Sequence, residues 1–290
     1  MAAPEPLPSI GGLWDFGNPA ATEGKFRELL PRARASGDRG YLAELLTQIA
    51  RTEGLQKRFD DAERTLVEAE ALLGPGTDRA RVLVLLERGR TLNSSKRAAE
   101  AKPLFLRAWD EARAAGLDGL AVDAAHMIAI VEGPEASLAW NRRAMAFAEA
   151  SADPEAKKWL GPLYNNTGWE HHRAGRFEEA MDCFRKSLAW REERSPGKTL
   201  VERWCVARCL RSLGRVEEAL EEQRALLALT DAAGKPDGFV HEEVAECLLA
   251  LGRKDEARPH FRTAHELLSK DPWLPRDEPA RLARLEELGR

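Results

Sequence analysis

Two adjacent histidines, His171 and His172, come nearest to a catalytic pattern in this 290-residue chain. An imidazole titrates near neutral pH and can move a proton or ligate a metal. Neither role has its companions here: no Asp or Glu accompanies them at ligand spacing, and no His-Glu-x-x-His string occurs. His126 follows Asp123 by three residues, which puts both on one helical face and reads as a surface pair. Cys205 and Cys209 stand four apart inside a helical pattern, but no second pair completes the tetrahedral set that zinc requires. With Cys183 and Cys247 they suit a reduced, cytoplasmic protein better than a disulfide scaffold. No glycine-rich phosphate loop is present. Catalytic residues, cofactors and metals are therefore not expected, and the chemistry on offer is recognition. Guanidinium groups at Arg51, Arg90 and Arg208 can fork onto a carboxylate or phosphate. Amides at Asn93, Asn165 and Asn166 can bridge a peptide C=O and N–H. Trp169 and Trp204 can supply a flat apolar wall.

What must position these residues is a repeat. The string Gly175-Arg-Phe-Glu-Glu-Ala180 returns as Gly214-Arg-Val-Glu-Glu-Ala219 and as Gly252-Arg-Lys-Asp-Glu-Ala257. Weaker copies are Lys57-Arg-Phe-Asp-Asp-Ala62 and Lys96-Arg-Ala-Ala-Glu-Ala101, and a degenerate one ends at Ser137. Spacings between the closing small residues run from 36 to 43, a solenoid period. A second small residue precedes each turn, at Ala50, Gly89, Ala125, Gly168, Ala207 and Ala245, so that paired helix backbones can approach closely. Leu46, Leu85, Tyr164, Phe184 and Phe261 are the large residues expected to fill the layers between pairs.

These strings, with Glu44-Leu-Leu-Thr-Gln-Ile-Ala50 and Leu163-Tyr-Asn-Asn-Thr-Gly-Trp169, resemble the tetratricopeptide repeat family over roughly residues 40–270. The match is most specific in the last three units, and the strings look like those of stand-alone bacterial members. The resemblance implies an all-α fold: a right-handed superhelical α-solenoid of about six helix pairs with an N-terminal half-repeat and a C-terminal capping helix. The pairs are placed at about 40–73, 79–115, 118–151, 154–194, 199–233 and 238–270, the half-repeat at 22–36 and the cap at 278–288, all in one solenoid of residues 20–290. Residues 1–19 read as an irregular leader whose Trp14 and Phe16 either cap the first helix or serve as a recognition motif. Pro31 is expected to bend or interrupt the half-repeat, Gly161-Pro162 to kink or restart a helix, and Asp78, Asp118 and Asp153 to cap helices.

Composition narrows the partners. Forty-four basic residues against 48 acidic give a net charge of −4, the wrong balance for a generic nucleic-acid binder. The N-terminus has no basic region followed by an apolar run, and no uninterrupted apolar stretch reaches about 18 residues, so neither a signal peptide nor a membrane span is expected.

In the resembled family the first helix of each pair lines the concave face. Carried over, that places Thr47 and Arg51 in the groove, then Leu86, Arg90, Asn93 and Ser94, then Val122 and His126. Asn165, Trp169 and His172 follow, then Trp204, Arg208 and Arg211, and finally Phe239, Glu242 and Glu246, with Gln48 and Asn166 one step aside. The family's carboxylate clamp pairs a basic residue and an asparagine on one repeat with an asparagine on the next; it is not reproduced, so chaperone-tail binding is not implied. The expectation is a non-enzymatic protein-interaction module or scaffold whose peptide-binding groove holds an extended acidic segment or C-terminal tail. Two other readings stand beside it: a sensor whose groove closes over a small ligand or signalling peptide, and an enzyme using His126 or His172.

Overall fold

In the computed structural model, which describes residues 6–290, every regular element among the described residues is helical. The half-repeat is α1 (Pro19–Ser36). Pairs follow as α2 (Arg39–Leu55) with α3 (Phe59–Glu70), α4 (Asp78–Ser94) with α5 (Ala98–Ala114), and α6 (Asp118–Val131) with α7 (Pro134–Ala150). After the short α8 (Pro154–Lys157) come α9 (Leu160–Arg173) with α10 (Phe177–Arg194), α11 (Leu200–Ser212) with α12 (Val216–Ala232), and α13 (Gly238–Ala250) with α14 (Lys254–Leu268). The single-turn α15 (Leu274–Asp277) and α16 (Pro279–Gly289) end the chain.

The turn strings have a backbone cause. Except in α6, which ends at Glu132 in an extended conformation, the first (A) helix of each pair is closed by a residue with positive φ, at Gly175 (74°), Gly214 (79°) and Gly252 (76°) in the last three, and the next amide bonds back five residues, as Arg176 N–H does to His171 C=O at 2.9 Å. This is the left-handed helix end that glycine adopts without a Cβ penalty. In the two weaker copies Lys57 (62°) and Lys96 (66°) hold the same conformation. Past the turn, Ala62, Ala101, Ser137, Ala180, Ala219 and Ala257 are all buried. The glycines before it allow an aromatic ring against the backbone: a Cβ on Gly168 would stand 2.6 Å from the Phe184 ring.

Four local expectations change. Pro31 lies inside α1 without ending it, because it sits on the exposed side, where water can satisfy the carbonyl that loses its amide. Asp78 and Asp118 are first helical residues rather than caps, a position where a carboxylate still meets the helix N-terminus favourably. Asp153 does cap, accepting the Glu155 N–H at 2.9 Å. The restart expected at Gly161-Pro162 falls just before it, between α8 and α9, and leaves Pro162 in a first turn that needs no donor there.

By backbone packing the chain divides into two compact units, Leu163 closing the first and Tyr164 opening the second. In the first unit each A helix packs on its own B helix and on the next A helix, as α2 does on α3 and α4. Its core holds Phe26, Ile49, Leu66, Phe105, Trp109 and Ile128. In the second unit α11 and α13 pack in the same way, around Phe184, Cys209, Val244, Phe261 and Leu285. Burying each large side chain stabilises the stack by roughly 1.5–3 kcal/mol. Four residues past the small-residue marker the chain places Leu66, Phe105, Phe184 and Phe261, but Asn141 and Gln223 in the third and fifth pairs. Both amides are buried, and Asn141 Oδ1 and both polar atoms of Gln223 have no partner among the described residues.

Candidate recognition surfaces

In the first unit the A helices carry a ladder of charges one repeat apart. Arg51 on α2 donates to both Glu87 carboxylate oxygens on α4, at 3.1 and 3.2 Å. Arg90, three residues on from Glu87, donates to Glu87 and reaches across to Asp123 on α6. With Glu87 and Asp123 almost wholly buried, the four groups neutralise one another, and the two carboxylates outweigh burial and hold the Arg90 guanidinium well above its ordinary range. Arg51, Arg90 and Asn93 line one hollow, with Met127 at its side.

The leader lies over this ladder. Trp14 donates its indole N–H to Gln48 Oε1 at 2.9 Å, stacks on Phe16 with ring centres 4.5 Å apart, and meets Phe26 edge-on. The Arg51 guanidinium lies 5.9 Å from the Trp14 ring and 5.6 Å from the Phe16 ring, so its outer face is already occupied. His126 does not pair with Asp123, which Arg90 has taken. Its ring stands 5.4 Å from that of Trp159, its Nδ1 is unpartnered, and burial pushes its pKa down despite Asp123.

The second unit gathers Trp169 and His172 on α9 with Trp204 and Arg208 on α11. The Trp169 ring stands 5.1 Å from those of His172 and Phe184 and 5.9 Å from that of Trp204. Trp204 donates to the Phe239 carbonyl at 3.2 Å. Both indoles are half-buried and present one apolar wall. Beside it His172 Nε2 lies 2.9 Å from the Ser212 hydroxyl, which accepts from Arg208 Nη1 at 2.7 Å. Asn165 accepts the Cys205 S–H at 3.4 Å, and Asn166 is half-buried next to it in sequence. His171 is buried, and its Nδ1 accepts from Arg176 at 2.9 Å.

The electrostatics of this cluster differ from those of the ladder. Glu243 is shared: Arg211 donates two bonds to it, at 2.9 and 3.0 Å, and Arg208 Nε lies 3.0 Å from it. Two guanidiniums on one carboxylate leave a surplus positive charge. Burial pushes the His172 pKa down to about 4, with the positive charges of Arg208, Arg211 and Arg173 adding to it, so His172 is neutral at pH 7. Arg208 is also held below its ordinary value, because burial costs it more than Glu243 returns. Its Nη2 makes no hydrogen bond among the described residues and remains a spare donor one helical turn on from Trp204.

The acidic partners are what sequence reasoning missed. Glu87, Asp123 and Glu243 stand 32 to 36 residues beyond the arginines they bind. A carboxylate one repeat beyond each groove arginine was the available signal. At the other end Glu242 and Glu246, expected to colour the groove, are taken by Arg281 and Arg284 of α16. Among the described residues no group of three metal-ligating side chains occurs, and no helix is long and apolar enough to cross a membrane.

Residues 161–194 match the family model for the tetratricopeptide repeat. No curated protein matches the sequence. Among solved structures the chain is similar to a Signal Transduction ATPase with Numerous Domains protein with a tetratricopeptide repeat sensor from Pyrococcus horikoshii, at 14% identity and a TM-score of 0.71, over 93% of this chain and 42% of that one. It is similar to the apo form of RapI at 11% identity and a TM-score of 0.69, over 96% and 79% of the two chains. It is also similar to NprR in complex with its cognate peptide NprX, at 14% identity and a TM-score of 0.55, over 92% and 78%. The chain thus spans less than half the length of the Pyrococcus protein. The fold is a tetratricopeptide-like α-solenoid.

Proposed function

We propose that this tetratricopeptide-like solenoid is a non-enzymatic interaction module that binds an extended segment or C-terminal tail of a partner protein, and that the second unit supplies the recognising chemistry. The observation that carries the reading is the spare Nη2 of Arg208, under-neutralised and half-buried one helical turn on from Trp204, on a guanidinium bonded to the Ser212 hydroxyl that also meets His172, whose ring packs on Trp169. A carboxylate of the bound segment completes that guanidinium, and a neighbouring apolar side chain lies against the indoles. His172 and Ser212 add neutral hydrogen-bonding groups at the rim. A charge-assisted bond contributes roughly 1.5–3 kcal/mol, and association costs several kcal/mol of lost freedom. One such bond with an aromatic wall and main-chain contacts then gives about micromolar affinity. In the first unit the ladder of Arg51, Glu87, Arg90 and Asp123 is charge-neutral, so acidic preference rests on Arg208 rather than on a basic groove. NprR, to which the chain is similar, was solved in complex with its cognate peptide, which supports a peptide as the bound segment.

The test compares wild type with an Arg208→Ala, Trp204→Ala variant of unchanged helicity, in affinity capture from native lysate and in titration with short synthetic peptides ending in a free carboxylate. Partners or peptides held by wild type alone support the site. Equal retention by the variant refutes it.

A further inference from the structure

The second helices of the first unit carry an arrangement that the ladder and the Arg208 cluster do not use. Trp109 on α5 is 3% exposed and meets Trp140 and Phe147 of α7 edge-on, with ring centres 5.8 and 5.3 Å away. Two exposed arginines cover it from either helix. Arg113 lies 5.0 Å from the Trp109 ring centre and 6.0 Å from that of Phe147, and Arg143 lies 5.7 Å from Trp109 and 5.0 Å from Trp140. Most other arginines among the described residues are matched to carboxylates, many of them one repeat on or three or four residues away. No carboxylate oxygen of the described residues comes within 4.0 Å of Arg113 or Arg143. The nearest acidic neighbour along α5, Glu111, is bound to Arg107.

We propose that this aromatic-backed arginine pair is a second docking surface, separate from the Arg208 site, that takes an acidic protein segment with carboxylates on alternate residues. Charge complementarity and pre-ordering of the two guanidiniums both favour such a segment. A guanidinium held against a ring has already lost much of its rotamer freedom, while its N–H edge still faces solvent and matches the two oxygens of a carboxylate. Both arginines cover the same indole. An extended segment places alternate side chains on one face about 7 Å apart, so one short stretch reaches both. The rings offer apolar surface between the two charges. A nucleic-acid strand would also meet arginine and tryptophan, but its charges sit on every unit, whereas a segment with alternate carboxylates sets small side chains between them against the rings.

The experiment measures fluorescence anisotropy of a labelled ten-residue peptide of alternating Glu and Ala, against its Gln-Ala counterpart and a ten-nucleotide thymidine strand. Wild type is expected to bind the Glu peptide in preference to both, and Arg113→Ala, Arg143→Ala to weaken it by roughly tenfold or more. The same loss is expected when wild type and the arginine-pair variant both carry Arg208→Ala, which separates this surface from the proposed peptide site. Should the alanine pair lose helicity, Arg113→Lys, Arg143→Lys keeps the charge and removes the fork, and is expected to weaken the same peptide. Four results would overturn the proposal: no binding by wild type, equal binding by the arginine variants, no difference between the arginine variants and their parent once both carry Arg208→Ala, or tighter binding of the thymidine strand.

Discussion

Replacing Gln223 with methionine is expected to stabilise the protein. Gln223 is 0% exposed, and neither its amide nitrogen nor its amide oxygen has a partner among the described residues. It stands four residues after Ala219, the register at which other pairs carry Leu66, Phe105, Phe184 and Phe261. An orphaned buried polar group costs roughly 1–3 kcal/mol. The two orphans belong to one amide and are not independent, so about 2 kcal/mol is the expected relief. Methionine has nearly the same length and volume and adapts to an irregular gap, so the repacking cost is small. At roughly 2–4 °C per kcal/mol for a chain approaching this size, Tm should rise by about 4–8 °C. The assay is thermal unfolding followed by circular dichroism, with urea unfolding to check that the slope m is unchanged. Asn141→Leu, at the equivalent register in the third pair, should move in the same direction because Asn141 Oδ1 is also unpartnered. An unchanged or lowered Tm at constant m would refute the reasoning, since it would mean that the Gln223 amide is satisfied.

Lys96 holds a left-handed conformation with φ of 66° where three other repeats have glycine. That conformation costs a residue with a Cβ roughly 1–2 kcal/mol, and the extra chain entropy of glycine returns roughly 0.5–1 kcal/mol of it. Lys96→Gly should therefore stabilise by about 0.5–1 kcal/mol in urea unfolding, and destabilisation would contradict the account of the repeat turn. His172 has its pKa depressed from an ordinary 6.5 to about 4. The unfolded chain then binds a proton that the folded chain refuses, so this contribution to stability is complete above pH 6.5 and is lost as pH falls toward 4. His172→Gln should flatten the stability profile across that window. His126, His241 and His260 are depressed in the same direction and continue to titrate, so the informative quantity is the difference between variant and wild type. An unchanged slope would mean that His172 is not shielded as described.

The helix pairs were readable because their signals are local. A small residue at a fixed offset from a turn, and a turn residue that must take positive φ, act within a few positions of the chain. The strings at Gly175, Gly214 and Gly252, and even the lysine-bearing copies, therefore located the turns. Asp153 was readable as a cap for the same reason, whereas Asp78 and Asp118 missed by one position because a carboxylate is favourable at either place. Pro31 shows where a local rule yields: whether a missing N–H breaks a helix depends on which side of the helix faces water.

The site residues divide along the same line. Sequence determined which side chains the first helices carry, so Arg51, Arg90 and Asn93 do line one hollow, and Trp169, His172, Trp204 and Arg208 do gather in the second unit. It did not determine their charge state or availability. Whether Arg51 points at a partner or at Glu87, whether Trp14 covers it, and whether Asp123 serves His126 or Arg90 depend on distances between helices a full repeat apart. A chain fixes the spacing of residues along each helix, but only the packing of one helix against the next brings a carboxylate within reach of a guanidinium. That packing left Arg208 with half of Glu243 and Arg113 with none.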